Sequence, residues 1–483
     1  MNIRMVFKII GRLQMMVASL MMIPILIGLY YGEGMRTIGA FLYPSLVVFI
    51  FGFLLNMQKV KIRSFYTREG LVIVSLSWIL ISFFGGLPLY LSGEYKSLVD
   101  SFFEISSGFT TTGATVSKNV EILSKSILFW RSFTHLIGGM GVLVFVLAII
   151  PQIKEDSIYL MKAEVPGPVF GKLVSKLADT ARILYIIYFG LTAILIIALY
   201  IAGMPLFDSV VHAFGTAGTG GFGIKNSSIG YYNSAAIETI IGIGMLVFGV
   251  NFNLYYLILI GKIKTLFKSE ELKWYMSFVV IAILLITYNV YTTLSLPFAD
   301  SFRHVFFTVS SIITTTGYST LDFANWPLFS HIILLMLMFI GGCAGSTAGG
   351  IKVARVATAV KSAISEMSIS RNPKRVLSFR FEGKVVDTGL FRSLANYFLL
   401  YFLLFGIQVL IISIDSPNFI TAFSAVSATL NNIGPGLGVV GPTGSFAEFS
   451  DISKIVLSFG MIAGRLEIIP MLVLFSPYTW RKT

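Results

Sequence analysis

Long apolar runs separated by short polar stretches dominate this chain. Ten runs are long enough to cross a bilayer as helices: 8–31, 37–57, 70–92, 126–150, 181–203, 235–261, 276–296, 328–350, 391–414 and 453–476. Four further apolar segments, 100–112, 207–219, 302–316 and 418–433, are too short or too polar to span, and each lies between two full runs. Segments of that length in that position predict re-entrant loops. The pattern therefore predicts an all-α integral membrane protein with ten full spans and four re-entrant segments.

The four short segments are copies of one another. Residues 106–113 read Ser-Ser-Gly-Phe-Thr-Thr-Thr-Gly and residues 310–317 read Ser-Ser-Ile-Ile-Thr-Thr-Thr-Gly. Weaker copies are Thr216-Ala217-Gly218-Thr219-Gly220-Gly221-Phe222 and Thr429-Leu430-Asn431-Asn432-Ile433-Gly434-Pro435. Aligning them matches Gly113, Gly220, Gly317 and Gly434. A Phe stands eleven residues before the glycine in three copies, as Phe102, Phe306 and Phe423, while the second has Ser209. The chain thus divides into an N-terminal two-helix hairpin (1–68) and four helix–pore loop–helix repeats, 69–152, 153–262, 263–365 and 366–483. The copies share one orientation, so four of them can surround a single pore, unlike inverted repeats.

Composition agrees with the bilayer. Hydrophobic residues make up 55% of the 483, charged residues only 12%, and mean hydropathy is +0.84; soluble domains carry about 25% charged residues. The net charge of +13 reads as topology rather than nucleic-acid binding. Of the 36 Lys and Arg, 27 fall in alternate loops together with both ends of the chain, which places both termini in the cytoplasm. Nine of these lie between Lys352 and Arg392. The single cysteine, Cys343, excludes an intrachain disulfide, and the scattered His135, His212, His304 and His331 have no metal-ligand spacing. No clustered acid–base set supports an enzyme. Gly434-Pro435-Gly436-Leu437-Gly438 opens no βαβ unit, so it is not a dinucleotide loop.

Irregular backbone at membrane depth must be buried or line an aqueous cavity. Four Thr/Gly segments around one axis would present carbonyl oxygens there, and rings of carbonyls replace the hydration shell of K⁺. The candidate ion-binding residues are Thr111, Thr112, Gly113, Thr219, Gly220, Thr315, Thr316, Gly317, Asn432, Ile433 and Gly434. Asp100, Asp208, Asp300 and Asp415 stand near the outer starts of the re-entrant helices. They either cap those helices, or complement the positive ends of the helix dipoles and concentrate cations at the mouth. Residues 341–350 hold five glycines within an apolar run, which predicts an unwound intramembrane loop. Its candidate gate residues are Gly345, Ser346, Thr347, Ala348 and Gly349. Arg465 lies near the middle of the last span, a costly position that marks either a functional cation or an ion pair to another helix. Glu467 is too close in sequence to share its helix face. The loop centre follows Gly317 by about 30 residues and Arg465 follows Gly434 by 31, so like repeats put both at one depth.

At these residues the chain resembles the Trk/Ktr/HKT superfamily of potassium transporters, most nearly the TrkH branch. Thr110-Thr111-Thr112-Gly113, Thr219-Gly220-Gly221-Phe222, Thr314-Thr315-Thr316-Gly317, Asn431-Asn432-Ile433-Gly434-Pro435-Gly436, the run Gly341–Lys352 and Gly464-Arg465-Leu466-Glu467 carry the likeness. The resemblance implies K⁺ (and Rb⁺) uptake across a bacterial inner membrane, a homodimer with one pore per protomer, and no organic cofactor. It also implies a cytosolic, nucleotide-binding TrkA-like regulatory ring, for which the basic loop is the expected dock. The loop at 341–350 would be the gate and Arg465 an electrostatic barrier below the filter. A glycine in every filter copy resembles the potassium-selective members. The alternative within the architecture is a sodium-permeable or proton-coupled symporter.

Overall fold

The computed structural model describes residues 2–59, 67–141, 177–371, 380–386 and 388–480. Helices account for nearly all of its regular structure, the exception being a two-residue antiparallel ribbon, Arg380–Phe381 with Lys384–Val385. The N-terminal hairpin pairs Ile3–Leu20 and its continuation Met22–Tyr30 with Met35–Asn56. Gly11 and Gly52 bring these helices into backbone contact: a Cβ on Gly11 would lie 2.5 Å from the Gly52 carbonyl oxygen. Small residues permit this approach where lipid, not water, surrounds the helices.

Each repeat then has the same three helices. The first helices are Thr67–Ser92, Leu177–Ile201, Glu270–Leu294 and Thr388–Ile412. The short pore helices are Leu98–Phe109, Leu206–Gly218, Phe298–Ile313 and Phe419–Leu430. The second helices are Lys125–Gly139, Ala235–Phe248, Leu328–Ile340 and Asp451–Arg465. Large apolar side chains such as Leu54, Ile201, Leu284 and Leu410 are exposed on the outer faces, the inverse of a water-soluble surface.

The ten expected spans are not all single long helices. Six helices among the described residues are long and apolar enough to cross a membrane, or seven if Ala235–Phe248 and Phe252–Leu259, bent by 90°, are taken as one. The second helices account for the difference, because each is interrupted. The first ends at Gly139, with Gly141 at φ +89°, and the rest of run 126–150 lies outside the described residues. The second turns at Gly249–Asn251. The third stops at Gly341, φ +71°, and resumes only at Val353. The fourth stops after Arg465, where Glu467 and Ile468 take φ of +60° and +71°. Hydropathy sees a continuous apolar run in all four and is blind to these turns.

Candidate ion pathway

All four pore helices end at the same structure. One or two residues past the helix, Thr111, Thr219, Thr315 and Asn432 adopt φ of +56°, +54°, +56° and +57°. Two residues later Gly113, Gly221, Gly317 and Gly434 adopt +79°, +74°, +86° and +99°. The residue between them donates its N–H back into the pore helix with one length throughout: Thr112 to Ser107, Gly220 to Gly215, Thr316 to Ser311 and Ile433 to Ala428, each 2.8 Å.

This backbone match corrects the register read from the sequence. The second repeat's equivalent of Gly113 is Gly221; Gly220 corresponds to Thr112, Thr316 and Ile433. With two consecutive glycines, spacing alone had no means of choosing between them. Gly220 has its own reason to be glycine, since a Cβ there would overlap the His135 ring.

The segments close on one another in chain order. A Cβ on Gly113 would overlap the Gly220 carbonyl oxygen, one on Gly221 that of Thr316, one on Gly317 that of Ile433, and one on Gly434 would come within 2.7 Å of that of Thr112. Four carbonyls and four glycines thus alternate around a ring. The C-terminal ends of four pore helices, each carrying partial negative charge, converge on it. Outside the ring lies an open funnel that touches Gly113, Gly221, Gly317 and Gly434 together.

Asp100, Asp208 and Asp300 stand in the first turns of their pore helices, where a carboxylate complements the helix dipole, but none is the N-cap residue. The N-caps are Ser97, Pro205, Pro297 and Asn418. Among the described residues no aspartate or glutamate lines the funnel, which does include Lys118, Arg131 and Lys225. Asp100 pairs with Lys454 at 2.7 Å, Asp208 accepts from Tyr232 at 2.7 Å, Asp300 lies 3.3 Å from Arg303, and Asp415 accepts from the Ser450 N–H and Ser453 Oγ, both at 2.8 Å. Asp100 and Asp208 tie their pore helices to a neighbouring helix and loop, Asp300 pairs within its own helix, and Asp415, which precedes the fourth pore helix, holds the start of the helix Asp451–Arg465.

Three residues passed over in the sequence hold one side of the ring. Glu104, fully buried, accepts from Arg131 Nε at 2.8 Å, Thr115 Oγ1 at 2.9 Å and the Val116 N–H at 2.9 Å. The Arg131 guanidinium sits 4.1 Å from the centre of the Phe222 ring. His135 Nδ1 is 2.8 Å from the Gly108 carbonyl, and its Nε2 accepts the Phe222 N–H at 3.3 Å. Nδ1 therefore carries the proton and donates, joining the first short helix to the second Thr/Gly segment. A carboxylate in the middle of one apolar helix and a guanidinium in the middle of another were the available signal, since buried charges need partners.

Beneath the ring runs the loop Gly341–Lys352. Its Gly349 N–H donates to Thr315 Oγ1 at 2.6 Å, and its Gly350 N–H to the Asn431 carbonyl at 3.1 Å. Gly345 accepts from the Phe252 N–H at 3.0 Å, Ser346 Oγ donates to the Cys343 carbonyl at 2.6 Å, and Thr347 Oγ1 donates to the Phe248 carbonyl at 3.2 Å. The Ala348 carbonyl accepts from Lys352 Nζ. Arg465 spans the gap between repeats, donating to the Thr347 carbonyl at 2.7 Å and to those of Gly138 and Gly139 at 2.7 and 2.5 Å. Its three carbonyl partners include the exposed end of a helix, where a cation is favoured. Glu467 reaches a different helix, pairing with Arg355 at 2.9 and 2.5 Å.

The loop also connects downward. Glu271 Oε1 accepts the Ala344 N–H at 2.6 Å, while Glu382 Oε1, in the turn of the short ribbon, accepts the Glu271 N–H and Ser269 Oγ, both at 2.8 Å. Phe381 packs in one apolar cluster with Ala344, Ala354 and Ala357. Lys374 and Arg375 of the basic loop lie outside the described residues, and Arg371 ends the helix Val353–Arg371.

The TrkH family, described as cation transport proteins, matches residues 38–482. Among curated proteins, the Trk system potassium uptake protein TrkH of Salmonella typhimurium is 36% identical, and TrkG of Escherichia coli K12 is 35% identical; the matches cover all of this chain and 100% and 99% of those proteins. Among solved structures, the potassium transporter TrkH from Vibrio parahaemolyticus superposes with a TM-score of 0.90 at 33% identity, over the whole of both chains.

Proposed function

Since the chain belongs to the TrkH family of cation transport proteins and is a transporter, not an enzyme, we propose that it takes up K⁺ through the ring of Thr112, Gly220, Thr316 and Ile433 carbonyls. The observation that carries this reading is the closure of four φ-matched segments into one ring beneath a single funnel. Carbonyl oxygens held at fixed spacing replace a cation's hydration shell without adding net charge. The buried ion pair Glu104–Arg131 and His135 hold that spacing on one side. The loop 341–352 is the gate, because it lies across the base of the segments and is held there by individual hydrogen bonds to several elements. Arg465 latches it and opposes a cation at the same level. The protein sits in a bacterial inner membrane with both termini in the cytoplasm, acts as a homodimer, and is governed by a TrkA-like cytosolic ring. The chain Glu382–Glu271–Ala344 offers that ring a route to the gate.

Flux of K⁺, Rb⁺ and Na⁺ into liposomes containing the purified protein tests the reading. Selective K⁺ and Rb⁺ entry is expected; equal Na⁺ entry would point to the sodium-permeable alternative. In the same assay Gly113→Ser is expected to raise relative Na⁺ entry, since a side chain at φ +79° displaces the adjoining Gly220 carbonyl. An unchanged K⁺/Na⁺ ratio in folded Gly113→Ser protein would count against the ring as filter. Glu382→Ala is expected to raise flux measured without any cytosolic partner by about fivefold, because losing a cap-type acceptor costs about 1 kcal/mol. Wild-type basal flux in that variant would leave the ribbon without a part in gating.

A further inference from the structure

The four filter segments match in backbone but differ in what holds their side chains. Thr111 Oγ1 donates to the Thr110 carbonyl at 2.7 Å and Thr219 Oγ1 to the Gly218 carbonyl at 2.6 Å, so both hydroxyls are satisfied within their own segment. In the third segment the hydroxyl accepts instead: Thr315 Oγ1 takes the Gly349 N–H of the loop. In the fourth, the Asn431 carbonyl takes the Gly350 N–H, and a Cβ on Gly349 would overlap that same oxygen. The first and second segments are braced independently of the loop, by Glu104, Arg131 and His135. The ring therefore has one half braced without the loop and one half that the loop touches directly, in addition to the Tyr401–Asn431 and Asn432–Met461 bonds of the fourth segment.

Building on the reading of this ring as the K⁺ filter, we propose that Thr315 is a positioning residue that links ion occupancy to the seating of the loop. A seated loop fixes the third and fourth segments through the Gly349 and Gly350 N–H groups, so their carbonyls need no ordering when K⁺ arrives. Linkage is reciprocal: if the seated loop favours K⁺ in the filter, K⁺ in the filter favours the seated loop. The asymmetry supplies its own controls, because Thr111 and Thr219 occupy equivalent backbone positions and make no such bond to the loop.

Hydrogen exchange of residues 341–352 in the purified full-length protein, in K⁺ against Na⁺, reads the link directly. K⁺ is expected to slow exchange of Gly349 and Gly350 by about fivefold or more, the lower end of usual coupling strengths. Thr315→Val, which keeps shape and removes the acceptor, is expected to abolish the K⁺ effect. Thr315→Ser is expected to restore it and Thr111→Val to retain it. Loop exchange that is indifferent to K⁺, or accelerated by it, overturns the proposal, as does its loss in Thr111→Val and Thr315→Val alike. Should Thr315→Val fail to fold, the wild-type comparison decides alone. Calorimetric titration with K⁺ separates the two levels of failure. K⁺ binding without a loop response removes the link and leaves the filter standing; no K⁺ binding removes both.

Discussion

Gly221→Ala is expected to eliminate K⁺ flux, whereas Gly220→Ala is expected to recover in part when His135 is shortened to Ser. The two adjacent glycines fail for different reasons. At Gly221 a side chain faces the Thr316 carbonyl and a backbone at φ +74°. Left-handed backbone costs an L-residue about 1–2 kcal/mol, and overpacking about 1–3 kcal/mol more. At about 1.4 kcal/mol per decade, the intact ring becomes rarer by at least about thirtyfold. The obstruction is backbone from another repeat, so no side-chain trimming relieves it. At Gly220 the obstruction is the His135 ring, a side chain that can be removed, although the Phe222 N–H then loses its acceptor. Liposome flux on the two single variants and the Gly220→Ala/His135→Ser double variant gives the comparison. Equal loss in all three would mean that the ring register assigned to the second repeat is wrong.

Arg465→Ala is expected to produce the largest gain. Its guanidinium bonds three carbonyls, of which one, Thr347, belongs to the loop. A hydrogen bond to a charged group contributes about 1.5–3 kcal/mol, so losing it shifts the loop toward its unseated form by about ten- to a hundredfold. Removing a positive charge at low dielectric lowers the barrier to a cation as well. Flux without partner should therefore rise by at least about tenfold. Arg465→Lys should fall between, since one ammonium has no planar fork with which to bridge carbonyls from two repeats. Basal flux at the wild-type level in folded Arg465→Ala would assign the latch elsewhere. Deleting Ala344 to Ala348 should raise flux too, by removing Thr347 itself together with the Ala344 N–H that Glu271 holds.

Much of this arrangement is legible in the sequence where local chemistry conflicts with its surroundings. Thr/Gly segments inside apolar runs are such a conflict, and so are five glycines near Gly345 and an arginine within the last run. The equal offsets of Arg465 and the loop from their filter glycines correspond to a direct bond between Arg465 and Thr347. What escaped the sequence depends on neighbours distant along the chain. Glu467 and Ile468 break the last helix without a glycine or proline between them, and Glu467 is held in that turn by Arg355. Glu104 and Arg131 explain each other only once their helices are packed. Asp100 looked like a cap or a mouth charge because Lys454, its partner, lies in a different repeat.

The ring also has a closing seam, and the seam has a consequence for biosynthesis. Gly434 of the last segment abuts the Thr112 carbonyl of the first, and Asn432 Nδ2 donates to Thr112 Oγ1 at 2.9 Å across 320 residues of chain. The Phe446 N–H to the Thr115 carbonyl, at 2.8 Å, crosses the same seam. A chain emerging from the ribosome N-terminus first completes three segments while the fourth place is still empty. Until the last hundred or so residues are inserted, the first segment has no neighbour on one side, so the ring closes only when the chain is nearly complete.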